Sequence, residues 1–127
     1  MKVYIAGPYS ATNVIDVLRN IGRGQETALK VFQAGHSPFC PWFDKEFVIQ
    51  SWGLGQNVDR FKEYSMDFLR VCDAVLVVPN RGGMINWQDS PGTLAEIKEA
   101  KRLKIPVCYD MEDLYWLGYK RQKNIKE

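Results

Sequence analysis

The sequence is short of the residues that build metal and disulfide frameworks. It has one histidine and three cysteines, Cys40, Cys72 and Cys108, an odd number with no CxxC pair. That spacing argues against a secreted disulfide scaffold, and the scatter of the four residues along the chain, each beside an apolar segment, argues against a shared metal site. The thiols read as buried groups, His36 as a loop residue, and a reducing cytoplasm as the expected compartment. Long apolar runs are missing too, and no charged segment leads into an apolar one at the start, so neither a membrane anchor nor a leader is expected. Net charge is small, 17 basic against 15 acidic residues, giving +2, and the signs are interspersed. A dedicated polynucleotide binder is therefore not expected. The one basic run, Lys120 to Lys126, reads as a solvated tail. Neither GxGxxG nor GxxxxGKS/T occurs, which removes support for dinucleotide cofactors and P-loop chemistry.

What is present fits one core. The 127 residues are 46% hydrophobic, 25% charged and 13% aromatic, within the range of an ordinary single domain. A strand over Val3 to Ala6 closes at Gly7-Pro8. From Asn13 onward Val14, Val17, Leu18, Ile21, Ala28, Leu29 and Phe32 keep a helical period, with Thr12 or Asn13 as cap and Gly35 as stop. Gly22 and Gly24 fit a bend or a close approach near Arg23, and simple tolerance accounts for them equally well. Ser37 to Pro41 reads as a short strand, and Trp42 to Gly55 as a long loop holding Trp42, Phe43, Phe47 and Trp52. A helix follows from about Asn57 to Val71, with Phe61, Ser65, Phe68 and Leu69 on one face and Asp67 well off it. Ala74 to Val78 is the uninterrupted apolar run of a strand buried on both sides. Then come a polar loop, a helix from Ser90 to about Leu103, a strand over Ile105 to Tyr109, and a helical piece over Glu112 to Tyr119. This β-α-β-α-β-α-β alternation implies a parallel sheet with helices on both faces and right-handed crossovers. Residues 1–110 form the expected domain, and 111–127 its helical extension and tail.

Ligands of open parallel sheets bind beyond the carboxyl ends of the strands. That singles out the loops at Gly7 to Ser10, Pro41 to Gly55 and Pro79 to Ser90. In Asp89-Ser-Pro-Gly-Thr-Leu-Ala-Glu96, Ser90 is a good N-cap and Pro91 suits the first helical position. The N–H groups of Gly92 and Thr93 with the Ser90 hydroxyl form a ready phosphate site at the positive helix end, although ordinary capping accounts for Ser90 and Pro91 equally well. Glu96 lies in the second turn, where an ionised carboxylate facing a cleft can attack an anomeric carbon.

Together, Val3-Tyr-Ile-Ala-Gly7, Cys72-Asp-Ala-Val-Leu-Val-Val-Pro79, Ser90-Pro-Gly-Thr-Leu-Ala-Glu-Ile97 and Ile105-Pro-Val107 resemble the nucleoside 2-deoxyribosyltransferase-like superfamily, which includes nucleoside 5′-monophosphate N-glycosidases and small phage-type members. The resemblance covers most of residues 1–108. It implies a flavodoxin-like three-layer α/β sandwich with a four- or five-stranded parallel sheet. It also implies that Glu96 attacks C1′ of the sugar and leaves a glycosyl-enzyme ester, which water or a second base resolves. By the same resemblance Tyr4 orients Glu96, Asp89 contacts the base and assists its protonation, and Ser90 binds a 5′-phosphate. Gly7, Pro8, Tyr9 and Ser10 close over the sugar, with Gly92 and Thr93 in the phosphate cradle. The superfamily usually has an aspartate where this chain has Ser65. Asp67, about 200° around the helix at two residues' remove, cannot simply replace it; either Ser65 itself hydrogen-bonds a sugar hydroxyl as a substrate-binding residue, or Asp44 or Asp59 enters from elsewhere.

Trp42, Phe43 or Trp52 would stack on a base or pack in a minicore or subunit contact. Arg19 or Arg23 would reach a phosphate or pair with helix neighbours in solvent. The expected activity is cleavage of the N-glycosidic bond of a nucleoside 5′-monophosphate, with no metal or organic cofactor. The alternatives are a deoxyribosyltransferase exchanging bases between free nucleosides and a non-catalytic nucleotide-binding module. A homodimer or larger oligomer that lends walls to the site is expected, because so short a chain has little left over for lids.

Overall fold

The computed structural model describes residues 1–43, 47, 50 and 58–124. Within them lie β1 (Lys2–Ala6), α1 (Val14–Gln33), β2 (Ser37–Phe39), α2 (Val58–Leu69), β3 (Ala74–Val77), α3 (Pro91–Arg102), β4 (Val107–Cys108) and α4 (Met111–Gln122). Single 3-10 turns sit at Pro41–Phe43 and Trp87–Asp89. The sheet runs β2-β1-β3-β4 and every pairing is parallel. This is the strand order of the flavodoxin-like fold, whose direction of growth reverses between β1 and β3. The expected strand over Ile105 to Tyr109 shortens to two residues, because β4 is an edge and pairs only with Val75 and Leu76 of β3.

Strand alternation divides the core between the two faces of the sheet. Val3, Ile5, Ala74 and Leu76 pack against Ile21 and Val31 of α1 and Leu114 and Leu117 of α4. Tyr4, Ala6 and Val75 pack on the other face with Leu69 of α2 and Ala100 of α3. At roughly 1.5–3 kcal/mol for each large side chain removed from water, these two layers supply most of the driving force.

α1 departs from the single apolar face that its periodicity suggests. Ile21 and Val31 are buried and Val17 and Ala28 pack with them, whereas Val14, Leu18, Leu29 and Phe32 are each more than half exposed. The Asn13 side chain accepts from the Asp16 N–H at 2.9 Å and caps the start. At the other end Gly35, at φ 90, lets its own N–H donate to the Phe32 carbonyl and the His36 N–H to the Val31 carbonyl. This is the Schellman closure that the glycine was expected to provide.

The expected close approach near Arg23 falls at Gly24, where a Cβ would lie 2.7–2.9 Å from three atoms of the Trp42 ring. Trp42 is buried at 2% exposure in the core formed with α1. Its indole is also what stands 3.5 Å from a Cβ placed on Gly7. Of the two roles the sequence leaves open for Trp42, base stacking and packing, the structure shows packing, with the indole in the core between β1 and α1. Trp52 and Asp44 lie outside the described residues.

Arg23 differs from expectation as well, being 3% exposed rather than paired in solvent. Its Nη1 donates to the Ile85 carbonyl at 3.2 Å, tying α1 to the loop after β3. Nε and Nη2 have no partner among the described residues. Burial, then the neighbouring Arg81 charge, pulls the Arg23 pKa down. Arg19 stays exposed beside Asp16 at 3.5 Å.

Adding a methyl at Gly24 forces the indole to move, so Gly24→Ala should destabilise the fold by about 1–3 kcal/mol despite its better helix propensity. Gly22→Ala, whose Cβ meets nothing within 4 Å, should stabilise it by up to about 1 kcal/mol. Urea unfolding of the two variants checks the opposite signs. Lys104 occupies the left-handed region at φ 60 at the end of α3, while the Ile105 N–H donates to the Ala100 carbonyl at 2.8 Å. A lysine here has the steric cost that glycine lacks, so Lys104→Gly should raise stability by about 0.5–1 kcal/mol, read as an increased Tm.

Candidate active site

The carboxyl ends of β1 and β3 are adjacent, since Ala6 pairs with Val77 and the Val78 N–H donates to the Ala6 carbonyl at 2.7 Å. The loops that leave them flank the crevice where parallel sheets of this order take ligands. A Cβ on Gly7 would lie 2.8 Å from Val78 Cγ2, so a glycine is required for the two strand ends to touch. Pro8 is buried and Ser10 exposed. Tyr9 packs partly against the α1 side of the core, and its carbonyl accepts from Asn20 Nδ2 at 3.1 Å. The loop after β1 is thus held down on α1.

On the opposite face of the sheet, the geometry converges on Tyr4. Its ring is wholly buried, so its hydroxyl needs a partner. That partner is Glu96 Oε2, to which the phenol donates a short hydrogen bond. Ser65 lies beside the Tyr4 oxygen and pulls its pKa down. α2, β1 and α3 therefore each bring one side chain, Ser65, Tyr4 and Glu96, to this point. Burial, reinforced by the Glu96 charge, drives the Tyr4 pKa well above that of an ordinary phenol. Burial also pushes the Glu96 carboxyl up to about 8, against the Tyr4 hydrogen bond, which favours the ionised form. One carboxylate oxygen is committed to Tyr4, which leaves Oε1 for other chemistry.

Ser90 caps α3 as the sequence implies. Its Oγ accepts from the Thr93 N–H at 3.4 Å and from Thr93 Oγ1 at 2.9 Å, and both residues are buried. Gly92, one residue into the first turn, is exposed with nothing near its Cβ position. Asp89 is exposed on the turn immediately before the cap. Glu96 lies about 9 Å along the axis from Ser90 at 1.5 Å per residue. Asp67 is exposed and turned to Arg70 at 3.4 Å, so it does not stand in for the aspartate that Ser65 replaces. Asp59 is exposed.

Aromatic residues do adjoin the site, but not those singled out from the sequence. Tyr4 stacks on Phe39 of β2 at 5.8 Å between ring centroids, and Phe39 stacks on Phe68 of α2 at 4.3 Å and 5°. Tyr64 packs edgewise on Phe68 at 5.3 Å. These rings extend from the buried phenol to the surface, where Phe68 is 41% exposed. The one available signal was the shared helix face of Ser65 and Phe68, which periodicity alone reads as core. Among the described residues no group of three His, Cys, Asp or Glu side chains is placed to hold a metal ion, and no helix is long and apolar enough to cross a membrane.

No family model and no curated protein matches the sequence. The architecture is that of an open, wholly parallel α/β sandwich of flavodoxin-like order. Among solved structures it is similar to a 2-deoxyribosyltransferase from the psychrotolerant bacterium Bacillus psychrosaccharolyticus, described as a biocatalyst for the synthesis of antiviral and antitumoral nucleosides. The likeness has a TM-score of 0.55 at 18% identity and covers 84% of this chain and 69% of that one. The chain therefore shares the fold of that enzyme, as the sequence resemblance implies.

A carboxyl whose folded pKa is raised from 4.5 to about 8 holds its proton in the native state over a range where the unfolded chain has lost it. Its contribution to stability is therefore intact below about pH 4.5, falls as pH rises, and is at its least above about pH 8. Glu96→Gln should remove that slope: thermal melts should match the parent near pH 4 and exceed it near pH 9. Equal pH slopes in the two proteins would show that Glu96 ionises freely.

Proposed function

We propose that this protein cleaves the N-glycosidic bond of a nucleoside 5′-monophosphate through a covalent glycosyl-glutamate. The observation that carries the reading is the Tyr4 hydrogen bond to Glu96 on an inward-facing turn of α3. Glu96 Oε1 attacks C1′ as the C1′–N bond breaks, and the bond's electron pair leaves with the base. The base gains a proton from solvent or through Asp89, and water then resolves the ester. The Tyr4 phenol holds the other carboxylate oxygen throughout, fixing the direction of attack. A 5′-phosphate lies at the N-terminus of α3, against the free N–H of Gly92 and the Ser90 hydroxyl, favoured by the helix dipole. Phe39, Tyr64 and Phe68 supply the stacking surface for the base.

The shared fold with a 2-deoxyribosyltransferase supports a second reading, transfer of the sugar to an acceptor base. Ser65 supports a third, binding without turnover, since it stands where the resemblance implies a sugar-binding aspartate.

A panel of ribo- and deoxyribonucleosides and their 5′-monophosphates, with and without an acceptor base, separates the three readings by chromatography. Free base from monophosphates alone is the expected result, exchanged nucleoside supports transfer, and binding without product supports the module. kcat/KM should rise with pH as Glu96 ionises, with an apparent pKa of about 8. Glu96→Ala should lower turnover by on the order of a thousandfold or more. Tyr4→Phe should lower it by roughly ten- to a hundredfold, the worth of one hydrogen bond to a charged group. Full activity in Glu96→Ala would remove the nucleophile from this scheme.

A further inference from the structure

The outer face of α1 exposes a pair of large apolar side chains at each end. Ile15, Leu18, Gly22, Gln25, Leu29 and Phe32 follow one another at alternating intervals of three and four residues, the a and d positions of a heptad repeat. The four large ones are 54–67% exposed, and Gly22 and Gln25 are exposed between them. The sheet does not use this seam: Asn20 and Thr27, at the opposite f positions, are buried against the rest of the molecule. A surface helix ordinarily turns polar groups outward, and an exposed apolar pair at each end of one seam is the mark of an interaction surface.

We propose that the occupant is a second copy of this chain, paired antiparallel along α1 about a two-fold axis midway between Gly22 and Gln25. That axis sets Ile15 against Phe32 of the second copy, Leu18 against Leu29, and Gly22 against Gln25. Every a position thus meets a d position, and the longer Gln25 side chain faces the residue with none. A parallel pair would put Gly22 against Gly22 and leave a gap at the centre. Charge selects the same arrangement. Arg19 and Glu26 occupy successive e positions on one flank, and the two-fold brings Arg19 of each copy within about 3 Å, measured along the axis, of Glu26 of the other. Glu26 already accepts from Arg81 Nη2 at 2.8 Å, so its carboxylate is held on that flank. Together the large side chains of both seams bury on the order of 1,000 Å², enough for a specific, reversible dimer.

This pairing is independent of the chemistry at Glu96. Tyr4 and Glu96 lie on the α2–α3 face of the sheet and α1 on the other, so each copy keeps its site open outward and lends the other no wall.

Sedimentation velocity over a concentration series should show a monomer–dimer equilibrium. Leu18→Glu/Leu29→Glu should raise the dissociation constant by roughly a hundredfold or more, with unchanged circular dichroism because both positions are solvent-facing. Arg19→Glu should weaken the dimer, and Arg19→Glu/Glu26→Arg should restore it. For orientation, Leu18→Cys and Leu29→Cys proteins are oxidised separately and mixed. A disulfide dimer formed only in the mixture is the expected result. A parent that stays monomeric throughout, a dimer indifferent to the leucine substitutions, or self-cross-linking of Leu18→Cys would each overturn the proposal.

Discussion

A tyrosine in the middle of a fully covered strand sets the terms for the rest of this molecule. β1 is flanked by β2 and β3 and covered on both faces, so its side chains from Val3 to Ala6 have no route to water. Val3, Ile5 and Ala6 accept that at no polar cost. Tyr4 does not, because a buried hydroxyl without a partner costs about 1–3 kcal/mol. Meeting that demand requires α3 to start early enough to bring Glu96 over the strand, and the Ser90 cap with Pro91 fixes that start. The same contact that satisfies the phenol holds a partly buried carboxyl against the strand, and burial, working against the hydrogen bond itself, raises its pKa, which is how a packing requirement becomes a source of chemistry.

Much of the fold was legible because its signals are local. Alternating strand and helix periods, the cap at Ser90, the stop at Gly35 and the apolar run at Ala74 each depend on a few neighbouring residues. Glu96 and Tyr4 were legible through resemblance, and their hydrogen bond joins residues 92 positions apart. What escaped the sequence depends on which side of an element faces what. An aromatic side chain fits a core or a ligand wall equally well, so Trp42 could not be told from Phe39 and Phe68 until the helices were placed. Periodicity also merged two apolar stripes of α1 into one face. Arg23 looked like a surface helix charge, and nothing local reveals that the loop after β3 folds over it.

Ser65 shows a subtler limit. From the sequence it is a loss, an expected carboxylate replaced by a hydroxyl. In the fold it lies beside the Tyr4 oxygen, where a neutral hydroxyl draws the phenol pKa down and an ionised aspartate would push it up. The substitution removes a charge next to the phenol, whose proton is directed at Glu96.

The seating of Trp42 gives the protein an optical signature of its own assembly. Its indole is locked between β1 and α1, while Trp116 is 58% exposed on α4 and Trp87 is only partly covered beside Tyr109 at 5.4 Å. Emission from Trp42 belongs to the short-wavelength, water-excluded class, and that of Trp116 to the long-wavelength, hydrated class. The turn after β2 must dock on Gly24 before the first appears. Intrinsic fluorescence therefore times the closing of the core's α1 face without any added label.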